Sequence, residues 1–96
     1  MPAYVVVDGE VTDPARYDQY KEAAPAAIAR YGGRYLVRGG TTAILEGDWQ
    51  PMRVVILEFP SLAAAKEFYD SPEYRAARAL RAGAAKMKVI AVEGVS

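Results

Sequence analysis

The stretch that most constrains this chain is Arg53–Phe59, RVVILEF, bounded by Pro51 and Pro60. It is short and rich in β-branched residues, which favours a strand over a buried helical turn. Side chains along a strand point alternately to opposite faces, so Val55, Leu57 and Phe59 share one face and Val54, Ile56 and Glu58 the other. A strand this apolar on both faces is covered on both. Pro60 cannot continue the ladder as a central residue. Ser61 is placed to cap a helix beginning at Leu62, whose Leu62, Ala65, Phe68 and Tyr69 fall on one face. Ser71-Pro72 repeats the cap-then-proline signal, predicting a second helical segment from Pro72 to about Ala82, closed by Gly83.

The remaining segments read as partners for this unit. Ala3–Glu10 is a strand. Asp13-Pro14 opens a helix, with Asp13 as N-cap and Pro14 in the first turn. Tyr17, Tyr20, Ala24, Ile28 and Tyr31 recur at steps of three and four along it. Pro25 removes one helical hydrogen bond and predicts a kink near Ala23–Ala24. Gly32-Gly33 ends the helix, one glycine taking the left-handed conformation. Arg34–Glu46 reads as a second strand, bent or bulged at Gly39-Gly40. Gly47–Pro51 reads as the turn of a hairpin to the third strand. Lys86–Glu93 is the fourth strand. The order β-α-β-β-α-β with right-handed crossovers gives one α+β domain over residues 1–96. It is a ferredoxin-like sandwich: a four-stranded antiparallel sheet, strands one and three central, helices on one face.

Strand parity then divides the sheet. Val5, Val7, Tyr35, Val37, Val55, Leu57, Phe59, Val89 and Ala91 carry no charge and belong under the helices. The opposite set, Tyr4, Val6, Asp8, Arg34, Leu36, Arg38, Val54, Ile56, Glu58, Lys88, Ile90 and Val92, is apolar in the middle and charged towards the ends. The helices cover only one face. At ~25 cal/mol per Å2, leaving Val6, Leu36, Val54, Ile56, Ile90 and Val92 wet forfeits on the order of 10 kcal/mol, comparable to the stability of a whole domain. A homodimer through the sheet face is the plainest remedy. Val6, Leu36, Val54 and Ile56 are its expected interface residues, and Trp49 in the hairpin turn is either a further anchor or a cover for its own turn. Composition points the same way. Of the 96 residues 52% are apolar, but 18 of those are Ala and bury little area each.

Other features exclude function classes. Twelve basic and twelve acidic residues balance, so no global attraction to nucleic acid or membrane is expected. No apolar run reaches the ~18 residues of a membrane span. Met1-Pro2-Ala3 leads straight into a strand without a signal-peptide core, and Cys is absent, so a cytoplasmic location is expected. Without Cys or His the usual metal and haem ligands are missing, as is the commonest general base near neutrality. Gly32-Gly33 and Gly39-Gly40 match neither a P-loop nor a Rossmann fingerprint. No metal and no cofactor are expected. RNA-recognition domains share the element order, but RVVILEF lacks their basic-Gly-aromatic signature.

The runs IARYGGRYLVRGG (Ile28–Gly40), LEGDW (Leu45–Trp49), EFPS (Glu58–Ser61) and FYDSPEY (Phe68–Tyr74) resemble the bacterial domain-of-unknown-function family 1330, in order and over nearly the whole chain. That family belongs to the dimeric α/β-barrel superfamily. Relatives there include cofactor-independent antibiotic-biosynthesis monooxygenases, muconolactone isomerase-like enzymes and haem-dependent chlorite dismutase-like proteins. The resemblance implies a ferredoxin-like protomer paired sheet to sheet as a dimeric α/β barrel. It implies no particular activity.

Among candidate site residues, Asp8, Arg38 and Glu58 are charges on neighbouring strands of the mixed face. One reading is a polar cluster in which Arg38 grips a carboxylate or enolate and an acid accepts a proton. The other is a set of structural ion pairs, which interfaces often carry. Most of the tyrosines read as core, with a hydroxyl finding water or backbone. Tyr69 is the best ligand-binding candidate because FYDSPEY lies at a helix interruption. Arg75, Arg78 and Arg81 form an i, i+3 stripe that reads as a solvated helix face. The leading expectation is a small dimeric protein that binds a small organic molecule, with cofactor-independent monooxygenase- or isomerase-like chemistry. The competing expectation is a non-catalytic structural or regulatory dimer. A cavity of some hundreds of Å3 with converging Arg and carboxylate groups would favour the first, a filled interior the second.

Overall fold

In a computed structural model that describes residues 1–95, the chain runs β1 (Ala3–Val11), α1 (Pro14–Arg30), β2 (Arg34–Arg38), β3 (Val54–Phe59), α2 (Leu62–Asp70), α3 (Pro72–Leu80) and β4 (Ala85–Glu93). All neighbours pair antiparallel in the order β2-β3-β1-β4, so β1 and β3 are central as expected.

The caps are where the sequence places them. The side chains of Asp13, Ser61 and Ser71 accept from the backbone N–H groups of Arg16, Ala64 and Tyr74. Ser71 also donates to the Phe68 carbonyl at 2.7 Å, so one buried hydroxyl ends α2 and starts α3. Helix α1 continues through Pro25 without a break. Gly32 closes it at φ 80°. Helix α3 stops at Leu80, two residues short of the expected end, and Gly83 at φ 75° turns the chain into β4.

Val5, Val7, Val55, Leu57 and Phe59 point from the sheet into the core and meet Ala24, Ala27, Ile28, Ala65, Phe68, Tyr74 and Ala77 from the helices. The alanines let the helices approach closely, and aromatics fill the middle. The Phe68 ring lies 4.8 Å from Phe59 and 4.2 Å from Tyr74, centroid to centroid.

Strand β2 departs from expectation in two ways. It ends at Arg38, not Glu46, and Gly39–Arg53 forms no regular structure. β3 begins only at Val54, so residues beyond Gly39 have no partner strand. Gly39, at φ 74°, donates the last ladder bond to the Val54 carbonyl. The connection is therefore the whole segment from Gly39 to Arg53, not the short turn Gly47–Pro51. Second, the bulge is at Leu36, ahead of the glycines: Tyr35 pairs with Leu57, but Val37 pairs with Ile56 and Arg38 with Val55. The extra residue reverses parity from Val37 onward. Val37 moves to the outer face, and Arg38 moves under the helices. Ala91, expected under the helices, is exposed because β4 is an edge strand that α2 covers incompletely.

The ends of α1 and α3 are tied by Glu73. Its carboxylate accepts from the Tyr31 hydroxyl at 2.9 Å and pairs with Arg30 Nε at 2.8 Å. Its own backbone N–H in the first turn of α3, then Tyr31, hold its pKa below the ordinary 4.5. A depressed folded pKa contributes stability above the unfolded value that is lost as pH falls through the folded one. Glu73→Gln is therefore expected to flatten the decline in melting temperature below about pH 5. Parallel acid limbs for variant and parent would contradict this role.

Candidate functional site

Between the helices and the sheet lies a cavity whose wall is apolar at the floor and cationic at the mouth. Val5, Val7, Val55, Leu57 and Val89 form the floor. Lys21, Arg38 and Arg53 stand at the mouth. Arg38 reaches it because the bulge at Leu36 turns it inward, and Arg53 because it shares the parity of Val55. Arg38 lies 4.5 Å over the Tyr35 ring and donates to the Lys21 carbonyl at 2.9 Å. Arg53 lies 5.7 Å over the Tyr17 ring and donates to its hydroxyl at 3.4 Å. The two arginines are thus folded onto tyrosine faces, as guanidinium groups commonly are, and they fill the opening. About 20 Å3 remains free, room for a single water.

Further in, Tyr20 and Tyr74 share a 2.6 Å hydrogen bond between their hydroxyls. Arg81 lies 5.0 Å over the Tyr20 ring. Arg78 lies 4.1 Å over Tyr69 and donates to the Tyr69 carbonyl at 3.1 Å. The Nε atoms of Arg78 and Arg81 are buried without an acceptor. Among the described residues no carboxylate lines the cavity. The ion pairs among the described residues, Arg30–Glu73 and Arg34–Glu58, lie elsewhere. Burial raises the pKa of the phenols of Tyr17, Tyr20 and Tyr35, so they stay protonated and act as hydrogen-bond donors. Among the described residues the site is a set of cations and neutral phenols without an anion.

A family model described as Domain of unknown function (DUF1330) matches residues 2–95. The chain belongs to that family. No curated protein matches this DUF1330 chain. Among solved structures it is similar to the RPA0582 protein of unknown function from Rhodopseudomonas palustris, at 24% identity over 99% of this chain and 83% of that one, TM-score 0.76. It is similar to SnoaB, a cofactor-independent oxygenase from Streptomyces nogalater, at 16% identity over 99% and 94% of the two chains, TM-score 0.69. A dimeric ferredoxin-like protein of unknown function from Jannaschia sp. CCS1 matches at 16% identity over 98% and 100%, TM-score 0.67. At these identities the likeness is one of fold.

The structure does not bring Asp8, Arg38 and Glu58 together. Glu58 is on the outer face, paired with Arg34 at 2.8 Å across β2 and β3. Asp8 anchors the long loop: it accepts from Trp49 Nε1 at 2.9 Å and from the Met52 backbone at 3.0 Å. Those bonds hold its pKa below the carboxylate norm. A second concavity of about 550 Å3 lies there, lined by Asp8, Glu10, Trp49, Lys86 and Lys88. Asp8 is the ladder partner of Lys88 and Glu10 of Lys86, while Asp48, which also lines the concavity, has no cation opposite it in the ladder. Trp49 is tethered to Asp8 yet still 58% exposed. Tyr69 is among the residues that line the interior cavity. Arg53, Tyr20, Tyr74 and Arg81 are site residues that sequence reasoning missed. For Arg53 the signal was present, since parity places it with Val55. For Arg81 the i, i+3 stripe pointed to solvent, whereas the side chain turns inward over Tyr20.

Proposed function

We propose that the protein is a homodimer whose protomers each bind a small organic anion in the helix–sheet cavity. The observation that carries this reading is the pair of guanidinium groups at the mouth, Arg38 and Arg53, with no carboxylate partner beside them. Arg53 is half-buried, and a partly desolvated cation without a counter-ion is relieved by an incoming anion; Arg38, exposed at the rim, adds a second charge that can turn towards it. Both side chains lie on tyrosine faces, so their withdrawal towards a ligand would open the cavity and free two aromatic surfaces for a planar group. The homodimer is supported by the uncovered apolar outer face. The likeness in fold to a cofactor-independent oxygenase fits a site that lacks metal and haem ligands, and it is the basis for carrying cofactor-independent chemistry as part of this reading.

The expected result is that 4-fluorobenzoate binds, seen as broadening of its fluorine resonance, while neutral 4-fluorobenzamide does not. Arg38→Gln with Arg53→Gln should weaken binding at least about ten-fold, since each charge-assisted bond contributes roughly 1.5–3 kcal/mol. Equal broadening with both probes, or binding untouched by the double substitution, would defeat the proposal. A second reading rests on the small free volume: a nearly filled interior suits a non-catalytic dimeric protein. That reading expects no binding by the parent at millimolar probe.

A further inference from the structure

The Tyr20–Tyr74 pair has one proton more than it can use. Two phenols hold two donor protons, and their mutual hydrogen bond consumes one. The other needs an acceptor, and neither hydroxyl meets one among the described residues. The nearby charged group over Tyr20 is Arg81, which is a donor only. Tyr74 is buried and Tyr20 is half-buried, so the leftover proton is not simply in bulk water. Both residues line the same cavity as Arg38 and Arg53. Tyr17 lies between the two ends: its hydroxyl accepts from Arg53, and its ring centre is 5.2 Å from that of Tyr20. The cavity therefore has an anion-gripping mouth and, one aromatic ring further in, a phenol donor without an acceptor.

We propose that the phenol pair is a second recognition point that donates to a ligand oxygen, so that the preferred ligand class is an oxo acid: a carboxylate at Arg38 and Arg53, with a carbonyl oxygen at Tyr20–Tyr74. This rests on the anion-binding reading above and adds the second group. A plain carboxylic acid satisfies the mouth but leaves the inner proton unmet. An oxo acid satisfies both. The arginines Arg78 and Arg81 behind the pair add positive potential that favours a polarised carbonyl or enolate oxygen there.

The test is a titration of the parent protein with 2-oxopentanoate, 4-oxopentanoate and 5-oxohexanoate beside pentanoate and hexanoate, which differ from them by the carbonyl. At least one oxo acid should bind about ten-fold more tightly than its parent acid, the worth of one hydrogen bond. In Tyr20→Phe and Tyr74→Phe the preference should vanish, each oxo acid then binding no more tightly than its plain partner to the same variant. In the parent itself, that oxo acid should perturb tyrosine absorbance more than the plain acid does, which needs no variant to fold. If plain acids bind and no oxo acid binds better, the phenol site is refuted and the anion site stands. If an oxo preference survives both Phe variants, the assignment to this pair is refuted. If no acid of either kind binds, the anion reading fails and this one with it.

Discussion

Replacing Gly33 with alanine is expected to destabilise the protein by about 2–3 kcal/mol, an overpacking cost at a site that cannot yield. A Cβ built there would sit 2.5 Å from Cε1 and 2.6 Å from Cζ of Phe59, and 2.8 Å from Cγ2 of Ile28. Phe59 is 1% exposed and its ring is held against Phe68, so it has nowhere to go. Gly33 also donates to the Ile28 carbonyl at 2.9 Å, which pins its backbone to the end of α1. Its neighbour Gly32 is needed for a different reason. At φ 80° it takes the left-handed conformation, and its added Cβ would meet only the Pro60 ring, Cγ at 3.2 Å and Cδ at 3.4 Å. Gly32→Ala should therefore cost about 1 kcal/mol, the ordinary left-handed penalty. Urea melts should give a lower midpoint for Gly33→Ala than for Gly32→Ala, with the slope unchanged. A Gly33→Ala protein as stable as Gly32→Ala would show that Phe59 can repack. It would also show that the core is looser than its aromatic stacking implies.

Much of the fold is legible in the sequence because local signals and global pattern agree. Asp13-Pro14, Ser61 and Ser71-Pro72 announce helix starts by capping chemistry alone, and the structure has each hydrogen bond. Alternation in AYVVVDGE and RVVILEF fixes which face meets the helices. The site was less legible because it turns on one irregular residue. The bulge at Leu36 carries no glycine or proline of its own, and periodicity cannot see an extra residue in a five-residue strand. Its effect is large: Arg38 passes from the outer face to the cavity mouth, away from Asp8 and Glu58. The long connection was misread because Thr41–Glu46 looks like a strand locally. Whether such a segment pairs depends on a neighbour, and β3 begins too late to provide one.

The outer face yields the second large prediction: Val6→Lys should convert a dimer into a folded monomer. The ladder places one unbroken apolar row across all four strands, Val37, Ile56, Val6 and Ile90, each opposite the next. On one side of it Arg34, Glu58, Tyr4 and Val92 form a row with its own ion pair, and on the other Val54, Asp8 and Lys88 form a third. The face is thus a hydrophobic band between charged margins, the arrangement expected of an interface core and rim. Ile90 is 63% exposed in the single chain, an exposure that a second copy would remove. Val6 lies at the centre of the band. A lysine there would be solvated in the monomer, at little cost, but unpaired and dehydrated in the dimer, where an isolated charge costs several kcal/mol. The dissociation constant should rise by at least about a hundred-fold, since each 1.4 kcal/mol is ten-fold. Sedimentation equilibrium at micromolar concentration should give twice the 10.4 kDa chain mass for the parent and the single mass for Val6→Lys. A parent that sediments as one chain, or a variant that remains paired, would show that this band is not the interface. Because the cavity lies on the other side of the sheet, the monomeric variant should retain 4-fluorobenzoate binding. Loss of binding together with the dimer would instead mean that the partner completes the site, and the ligand would then have to be sought at the interface of the two sheets.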